Sequence, residues 1–243
     1  MAEYKTLNLM NYQIFTDSID SIDFNQKLVV NTLNPHSYIV AKTDPVFQEA
    51  LHQSDVLISD GSGIVLAAKL IEKRNILKVA GADLHENLLN KLNVKKGKCF
   101  YLGSRESTLN KIKKRIGKEY PGITVETYSP PYKTIFSEKD NQIIISKINK
   151  FQPNVLFVGM TAPKQEKWVH IHKESLNANI ICSIGAVFDF YAGTVERPSQ
   201  FWIDHHLEWL QRLFSDPVRL WKRTFISGPL FVWDIILYKF KKI

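Results

Sequence analysis

Residues 56–65 read Val-Leu-Ile-Ser-Asp-Gly-Ser-Gly-Ile-Val, an apolar run that passes through a glycine-rich turn into a helical pattern. A short apolar run that ends at a turn is typical of a strand buried on both faces, as in a parallel sheet. The stretch therefore predicts a strand, a tight turn at Asp60 and a helix. That order is the repeating unit of an α/β fold.

The same unit recurs along the chain. Short runs rich in Val and Ile predict strands at 28–30, 56–58, 99–102, 123–127, 155–158 and 180–184. Helical patterns lie near 46–53, 63–72, 84–92, 106–118, 139–150 and 164–174. This alternation predicts one α/β domain over residues 1–196, with a doubly wound, mostly parallel sheet and helices on both faces. A chain of 243 residues has room for such a domain and a short appendage.

Composition narrows the class of protein. With 44% hydrophobic and 23% charged residues, the chain is neither disordered nor fibrous. The net charge of +8 favours anionic partners, among them nucleotides, phosphorylated lipids, anionic membranes and nucleic acids. Cys99 and Cys182 lie in apolar strand-like runs and are predicted to be inert core thiols. The N-terminus does not resemble a secretory signal and no apolar stretch reaches about 18 residues, so we expect a cytoplasmic protein without a spanning helix.

The character of the chain changes at residue 197. Aromatic and basic residues crowd into 197–243, and they include Trp202, Trp209, Trp221, Trp233, Arg212, Arg219, Lys222 and Arg223. We predict a helical appendage that associates with a membrane, because aromatic and basic side chains together suit the bilayer interface. The alternative is a helical cap packed on the domain, or a subunit interface in a homo-oligomer.

Polar residues follow the predicted strands. They are Thr32 and Asn34 after the first strand, Asp60 after the second, Gly103 and Ser104 after the third, Pro131 after the fourth, Gln165 and Glu166 after the fifth, and Gly185 after the sixth. Ligands of open parallel sheets bind beyond the carboxyl ends of the strands, so these residues predict one binding rim. Two of these turns also have a plain structural alternative. The turn at Asp60 suits a helix cap, and Gln165 and Glu166 suit a solvated first turn.

Several chemistries lack their usual motifs. There is neither a G-x-G-x-x-G fingerprint nor a Walker motif, so dinucleotide and P-loop sites are not supported. No Asp-x-Asp pair occurs and the histidines lack zinc-like spacing, so we expect neither a metal nor another cofactor. No G-x-S-x-G elbow supports a serine nucleophile. Nucleic-acid binding has only the basic charge in its favour, and we expect none.

Ordered motifs cover nearly the whole chain. They include Thr32-x-Asn34, Asp60-Gly-x-Gly, Gly81-x-Asp83-Leu84, Ala162-Pro-Lys-Gln-Glu166, Leu207-Glu-Trp209 and Asp216-Pro-x-Arg219. In these motifs the chain resembles the WecG/TagA/CpsF family of bacterial glycosyltransferases. The resemblance implies transfer of an N-acetylmannosamine-type sugar from a UDP-sugar to N-acetylglucosamine on an undecaprenyl diphosphate lipid. It also implies inversion without a metal, at the inner face of the plasma membrane, in teichoic acid or other surface polysaccharide synthesis.

The resemblance assigns roles to individual residues. Asp60 matches the proposed catalytic base, Thr32 and Asn34 match the pocket beside it, and Gln165 matches the sugar-binding position. Three basic residues match those of the family's appendage, namely Arg212, Arg219 and Arg223. Lys78 stands where relatives often have Arg, which keeps the charge but loses a planar fork for diphosphate. Asp189 is a second candidate base. Another UDP-hexose donor remains open.

Overall fold

A six-stranded parallel sheet forms the centre of the computed structural model, which describes residues 4–195, 202, 210, 213 and 217–241. Its strands are β3 (Leu28–Leu33), β4 (Val56–Ser59), β5 (Lys98–Gly103), β6 (Thr124–Tyr128), β7 (Val155–Gly159) and β8 (Ile180–Ser183). They lie in the order β4-β3-β8-β7-β5-β6, and all neighbours are parallel. A separate antiparallel hairpin precedes them, formed by β1 (Thr6–Leu9) and β2 (Tyr12–Phe15). Every predicted strand of the sheet is confirmed.

Helices connect the strands. They are α1 (Pro35–Ala41), α2 (Pro45–His52), α3 (Ser62–Ile71), α4 (Gly81–Lys95), α5 (Glu106–Glu119), α6 (Glu138–Phe151), α7 (Lys164–His172), α8 (Gly185–Tyr191), α9 (Pro217–Lys222) and α10 (Gly228–Lys241). A π-helical turn, Arg223–Ser227, joins α9 to α10, and short 3-10 turns occupy Ile19–Ser21 and Lys173–Ser175. The six predicted helices of the α/β domain are all present. The hairpin, α1 and α8 were not predicted.

The two faces of the sheet carry different helices. On one face, α4, α5 and α8 bury side chains such as Leu88 and Ile112 against Val30 and Cys182. On the opposite face, α6 and α7 pack on Val29 and Ile181, while α1, α2 and α3 cover Leu33 and Leu57. The predicted doubly wound arrangement is therefore confirmed. It follows from the apolar continuity of the strands, because a strand that is apolar on both sides must be covered on both sides.

The two cysteines behave as core residues. Cys99 and Cys182 are both buried and both free. Burial raises the pKa of each thiol, so the reactive thiolate form is suppressed. The prediction that both cysteines lie in the core is confirmed.

The chain ends in a helical segment, residues 217–241, which we call the C-terminal segment. One side of α10 packs on the domain, where Phe231 and Ile235 are buried in a cluster with Tyr38 and Ala67. An ion pair fixes the same side, with 2.6 Å between Lys42 Nζ and Asp234 Oδ2. The predicted cap on the domain is thus present in this segment. The boundary predicted at 196/197 lies outside the described residues.

The other side of the C-terminal segment is exposed and apolar. Its large exposed side chains are Trp221, Phe225, Ile226, Leu230, Val232, Trp233, Ile236, Leu237 and Phe240. Trp233 is 59% exposed and Phe240 is 72% exposed. Contiguous apolar surface of this kind marks a site of interaction with a protein or a membrane. Of the helices that the structure describes, none is long and apolar enough to cross a bilayer.

Candidate active site

The rim begins where β4 ends, at Asp60. The backbone N–H of Asp60 donates to the Leu33 carbonyl at 2.9 Å, which ties this turn to the end of the neighbouring strand. Gly61 follows with φ +95°, a conformation that L side chains rarely adopt, and it is the N-cap residue of α3. Asp60 is therefore not the N-cap of α3, and the helix-cap role weighed for it from the sequence is wrong. It is half-buried at the carboxyl edge of the sheet.

Thr32 and Asn34 lie beside this turn. Strand β3 is longer than predicted, so Thr32 is a half-buried residue within the strand, paired with Ile58, rather than a residue beyond it. Asn34 caps α1 through its amide oxygen, which accepts the Ser37 N–H at 3.0 Å. Because the cap uses the oxygen, a contact from Asn34 to a ligand would come from its amide nitrogen.

Lys78 is brought to the same edge by backbone contacts on either side of it. Ser59 Oγ donates to the Leu77 carbonyl at 2.8 Å, and the Val79 N–H donates to the Ser59 carbonyl at 3.1 Å. Since Ser59 directly precedes Asp60, these bonds hold the half-buried Lys78 next to the Asp60 turn. The sequence spacing between the two residues did not reveal this proximity.

A second part of the rim lies at the ends of β5 and β6. Gly103 pairs with Gly159 and has φ +102°, and a Cβ on Gly103 would lie 2.6 Å from the Gly159 carbonyl oxygen. Only glycine fits there. Ser104 continues the turn with φ +66°, and its carbonyl accepts from Ser129 Oγ at 2.9 Å. The chain beyond β6 is thereby joined to this turn, and Pro131 lies exposed two residues after Ser129.

Helix α7 contributes the most buried polar residues of the rim. Gln165 and Glu166 are only 4% and 3% exposed, so the solvated first turn weighed from the sequence is wrong. Gln165 Oε1 accepts from the Met160 N–H at 3.2 Å, and its Nε2 donates to Glu166 Oε1 at 2.8 Å. A Cβ on Gly185 would lie 2.6 Å from Gln165 Oε1, so this amide lies between the ends of β7 and β8.

Glu166 is electrostatically unusual. Burial raises the pKa of its carboxyl to about 7, against the opposing effects of the Gln165 hydrogen bond and the Arg223 charge. A carboxyl that titrates near neutral pH in a ligand-binding edge is a marker of a functional site. The sequence placed Glu166 on the predicted rim, but no sequence signal indicated that its carboxyl would be buried.

Asp189 occupies a different environment from Asp60. It lies well inside α8 rather than at its first residue, and its Oδ1 accepts from Thr194 Oγ1 at 3.3 Å. The Asp189 carbonyl also accepts the N–H groups of Thr194 and Val195. These contacts help to end α8. Asp60, by contrast, precedes α3 and is not its N-cap.

The predicted arginines of the appendage are only partly described. Arg223 is half-buried in the π-helical turn, and its charge acts on both Glu166 and His36. Arg219 lies in α9, but its side chain lies outside the described residues, as does the whole of Arg212. The structure therefore brings Arg223 to the α1 and α7 side of the rim.

A cavity of about 410 Å³ lies elsewhere, between the hairpin, α1 and α10. Tyr12, Lys42, Asp234 and Tyr238 line it. Its charges are already paired, since Lys42 and Asp234 form the 2.6 Å ion pair. This cavity reflects how the C-terminal segment packs and contains no residue of the predicted site. Within the described part of the chain, no three His, Cys, Asp or Glu side chains are grouped as metal ligands would be.

The protein is thus an α/β protein whose polar side chains gather at the carboxyl edge of an open parallel sheet, the edge at which proteins of this class bind their ligands. The sequence profile of the WecG/TagA/CpsF family of glycosyl transferases matches residues 5–243. The chain belongs to this family, which confirms the resemblance seen in its motifs.

Curated relatives are similar over most of both chains. A protein of Bacillus spizizenii is 31% identical over 90% of this chain and 82% of its own length. One of Bacillus subtilis is 30% identical over 93% and 86%, and one of Staphylococcus aureus is 25% identical over 88% and 80%. Each of the three is an N-acetylglucosaminyldiphosphoundecaprenol N-acetyl-β-D-mannosaminyltransferase.

Proposed function

We propose that this protein transfers N-acetylmannosamine from a UDP-sugar to the N-acetylglucosamine of a diphosphoundecaprenol lipid, in the synthesis of a cell-surface polymer. The observation that carries the proposal is that two relatives with this activity in their names each match at least 90% of the chain at 30% identity or more. The polar rim supports it, because the carboxyl edge of the sheet carries a carboxylate, a cation and glycine turns.

The chemistry requires one base. An acceptor hydroxyl oxygen attacks the anomeric carbon, its proton passes to the Asp60 carboxylate, and the bond from that carbon to the diphosphate breaks. UDP leaves with the electron pair, and the sugar inverts its configuration. Asp60 suits this role because Gly61, rather than Asp60, caps α3 and the turn is tied to the end of β3. Asp189 serves less well, since it lies within α8 rather than in the turn that directly follows a strand.

The donor fits the second part of the rim. Strand β5 is followed by α5 on one face of the sheet, and the neighbouring strand β7 is followed by α7 on the other face. Ligands of open sheets bind where the connections of neighbouring strands diverge in this way. Gly103, Ser104 and Pro131 lie on one side of that point and Gln165 and Glu166 on the other. Charge that develops on UDP would be met without a metal by helix N-termini, backbone N–H groups and Lys78.

The acceptor reaches the rim from a membrane. We assign residues 197–243 to a membrane-associating appendage, because the exposed side of the C-terminal segment is apolar while its other side is fixed to α1. Within it, Arg212, Arg219 and Arg223 would contact the diphosphate of the lipid and complete the site. Binding to the inner face of the plasma membrane confines enzyme and acceptor to one surface, which raises the effective acceptor concentration.

A donor panel tests the proposal. UDP-N-acetylmannosamine, UDP-N-acetylglucosamine and UDP-glucose are each incubated with the protein and a short-chain prenyl-diphosphate-N-acetylglucosamine, with and without a chelator. We expect a product mass increase of one N-acetylhexosamine from the first donor alone, unchanged by the chelator. If another UDP-hexose is preferred, the proposed donor is wrong. If the chelator abolishes the product, the reaction depends on a metal. If no donor supports transfer, the proposed function is rejected.

A further inference from the structure

The cavity of about 410 Å³ beside the C-terminal segment has the size of a small-ligand site, since such sites typically enclose about 300–1,000 Å³. Its walls come from the hairpin, α1, α2 and α10, which are distant in sequence. Because α10 closes one side, the cavity exists only when the C-terminal segment is packed on the domain. It contains none of the rim residues, so it is separate from the candidate active site.

Aromatic rings form the rigid part of the wall. The ring of Tyr12 stacks on that of His52 in α2, with 4.6 Å between centroids and 5° between planes. Tyr12 also lies edge-on to Tyr38 at 5.9 Å, and Tyr38 lies edge-on to Phe231 of α10. Each ring is therefore held by its neighbours, and a ligand would meet a wall that is already formed.

The polar groups of the wall carry no net charge. Its two charged residues, Lys42 and Asp234, form the 2.6 Å ion pair. Asn11 Nδ2 donates to Tyr238 Oη at 3.0 Å, which links the hairpin turn to α10. Balanced charge favours a neutral ligand over an ion. Amides, phenol hydroxyls and a carboxylate can all exchange hydrogen bonds with the hydroxyl groups of such a ligand.

The hydroxyl of Tyr12 is a bonding group that the protein does not use. Tyr12 is 2% exposed, and within the described part of the chain its hydroxyl is buried without a hydrogen-bond partner. Burial raises the pKa of this hydroxyl, and Gln48, another wall residue, lowers it without lying in hydrogen-bonding geometry. Most buried polar atoms are paired, and cavities with polar walls hold water or a ligand.

We propose that this cavity binds a neutral, hydroxyl-rich group, namely a sugar ring, carried either by a sugar in solution or by the headgroup of a membrane glycolipid. A sugar ring presents apolar C–H groups to aromatic side chains and hydroxyl groups to amides and phenols. The wall offers both kinds of partner, as small-ligand sites commonly do. Binding here is independent of the transfer reaction proposed above.

The position of the cavity suits a lipid-borne sugar. Leu237 lines the cavity, is 41% exposed and belongs to the exposed apolar side of the C-terminal segment. Trp233 precedes it by four residues and Phe240 follows it by three, so the three side chains share one face of α10. A headgroup in the cavity would leave its acyl chains beside that apolar face. This source rests on the membrane association proposed above, whereas binding of a free sugar does not.

Titration of the full chain with methyl β-D-glucopyranoside tests the site, with binding measured by calorimetry. For a free sugar we expect a dissociation constant on the order of 1 mM, as for a small ligand with few contacts. Tyr12→Phe removes only the hydroxyl and should weaken binding roughly fivefold. Tyr120→Phe makes the same change at the end of α5, on the opposite face of the sheet, and should bind like the wild type. Sugar binding that Tyr12→Phe leaves unchanged, as at the rim, would overturn the proposal.

Flotation with phosphatidylcholine vesicles, with and without glucosyl diacylglycerol, identifies the source of the sugar. If the site takes a headgroup, the glycolipid should strengthen vesicle binding by the wild type and Tyr120→Phe roughly fivefold, but not binding by Tyr12→Phe. Vesicles without glycolipid should bind all three proteins alike. A response to the glucoside alone supports a sugar in solution. No response to either probe would mean that the cavity holds only water, and would overturn the proposal.

Thermal unfolding separates loss of binding from loss of fold. Because the Tyr12 hydroxyl is buried without a partner, Tyr12→Phe should unfold at the wild-type temperature or above it. A clear fall would show that the hydroxyl bonds within the protein, which would overturn the proposal. Gln48→Ala removes a second polar group of the wall from the half-buried side of α2 and should weaken sugar binding about threefold. Wild-type affinity in both wall variants would contradict the site.

Discussion

The carboxyl-end rim and the C-terminal segment are built on opposite principles. In the rim, polar groups are fixed by backbone geometry, as where Gly61 at φ +95° turns the chain after Asp60. In the C-terminal segment, a few links such as Lys42 with Asp234 hold one side, and the other side exposes large apolar groups such as Trp233. A site for chemistry needs fixed geometry, whereas a surface for lipid needs exposed apolar area. In the function proposed above, the first region carries catalysis and the second contacts the acceptor's membrane.

The largest expected effect separates the two regions by chemistry. Asp60→Asn removes the proposed base but keeps the size of the side chain, so turnover should fall by about 10²- to 10⁴-fold while liposome binding stays unchanged. Turnover is measured from product formed per unit time, and donor binding by calorimetry. Asp189→Asn is the comparison, and a larger loss there would move the base to Asp189.

The second prediction concerns how the C-terminal segment is fixed to the domain. Phe231 is 2% exposed and its ring lies edge-on to Tyr38, with 5.3 Å between centroids. Phe231→Ala should lower the free energy of unfolding by about 3 kcal/mol, the usual cost of deleting a buried ring. Phe225→Ala is the control, because Phe225 is 63% exposed, and it should cost less than about 0.5 kcal/mol. Equal losses in denaturant titrations would mean that α10 does not pack as described.

The third prediction addresses the exposed side of the same helix. The double variant Trp233→Asp and Phe240→Asp should weaken binding to anionic vesicles roughly tenfold, because it removes apolar area and adds negative charge. Co-sedimentation with vesicles measures the binding. Val94→Asp makes the same kind of change at an exposed apolar residue of α4, 84% exposed, and should leave binding within about twofold. Equal losses would remove the distinction between the two regions.

The smallest effect tests the backbone at the rim. Gly61→Ala forces an L side chain into a left-handed conformation and should cost about 1 kcal/mol of stability, together with some turnover. Gly117→Ala, inside α5 with open space around its Cα, should instead stabilise the protein by about 0.5 kcal/mol. Opposite shifts in unfolding temperature are expected. Shifts of the same sign would contradict the strained turn.

The sequence predicted the sheet better than the edges around it. Strands such as Val155–Gly159 are continuous apolar runs, and helices such as Glu106–Glu119 have a clear period, so both were found. The hairpin strands are only four residues long and α1 and α8 only seven, too short for a period to show. Helix α10 was ambiguous for another reason. A helix with apolar residues on two sides suits either a protein core or a membrane. Its sequence does not show which side packs on the domain and which side is exposed.

The site was predicted in outline for a similar reason. Asp60, Gly103 and Gln165 follow apolar strands, so their arrival at one edge follows from parallel topology alone. The burial of Glu166 was not predictable, because Lys164-Gln-Glu-Lys167 reads as a polar first turn. Its burial depends on the packing of α7 against α2, which is distant in sequence and meets α7 only in the folded chain.

The most direct test of the account is the product that wild type and Asp60→Asn make from UDP-N-acetylmannosamine and a short-chain lipid-diphosphate acceptor in the presence of chelator. The anomeric configuration of the product is read from the one-bond carbon–proton coupling at the new linkage. We predict a disaccharide-lipid of inverted configuration from the wild type and almost none from Asp60→Asn. A retained configuration, or undiminished product from Asp60→Asn, would contradict a single displacement assisted by this carboxylate.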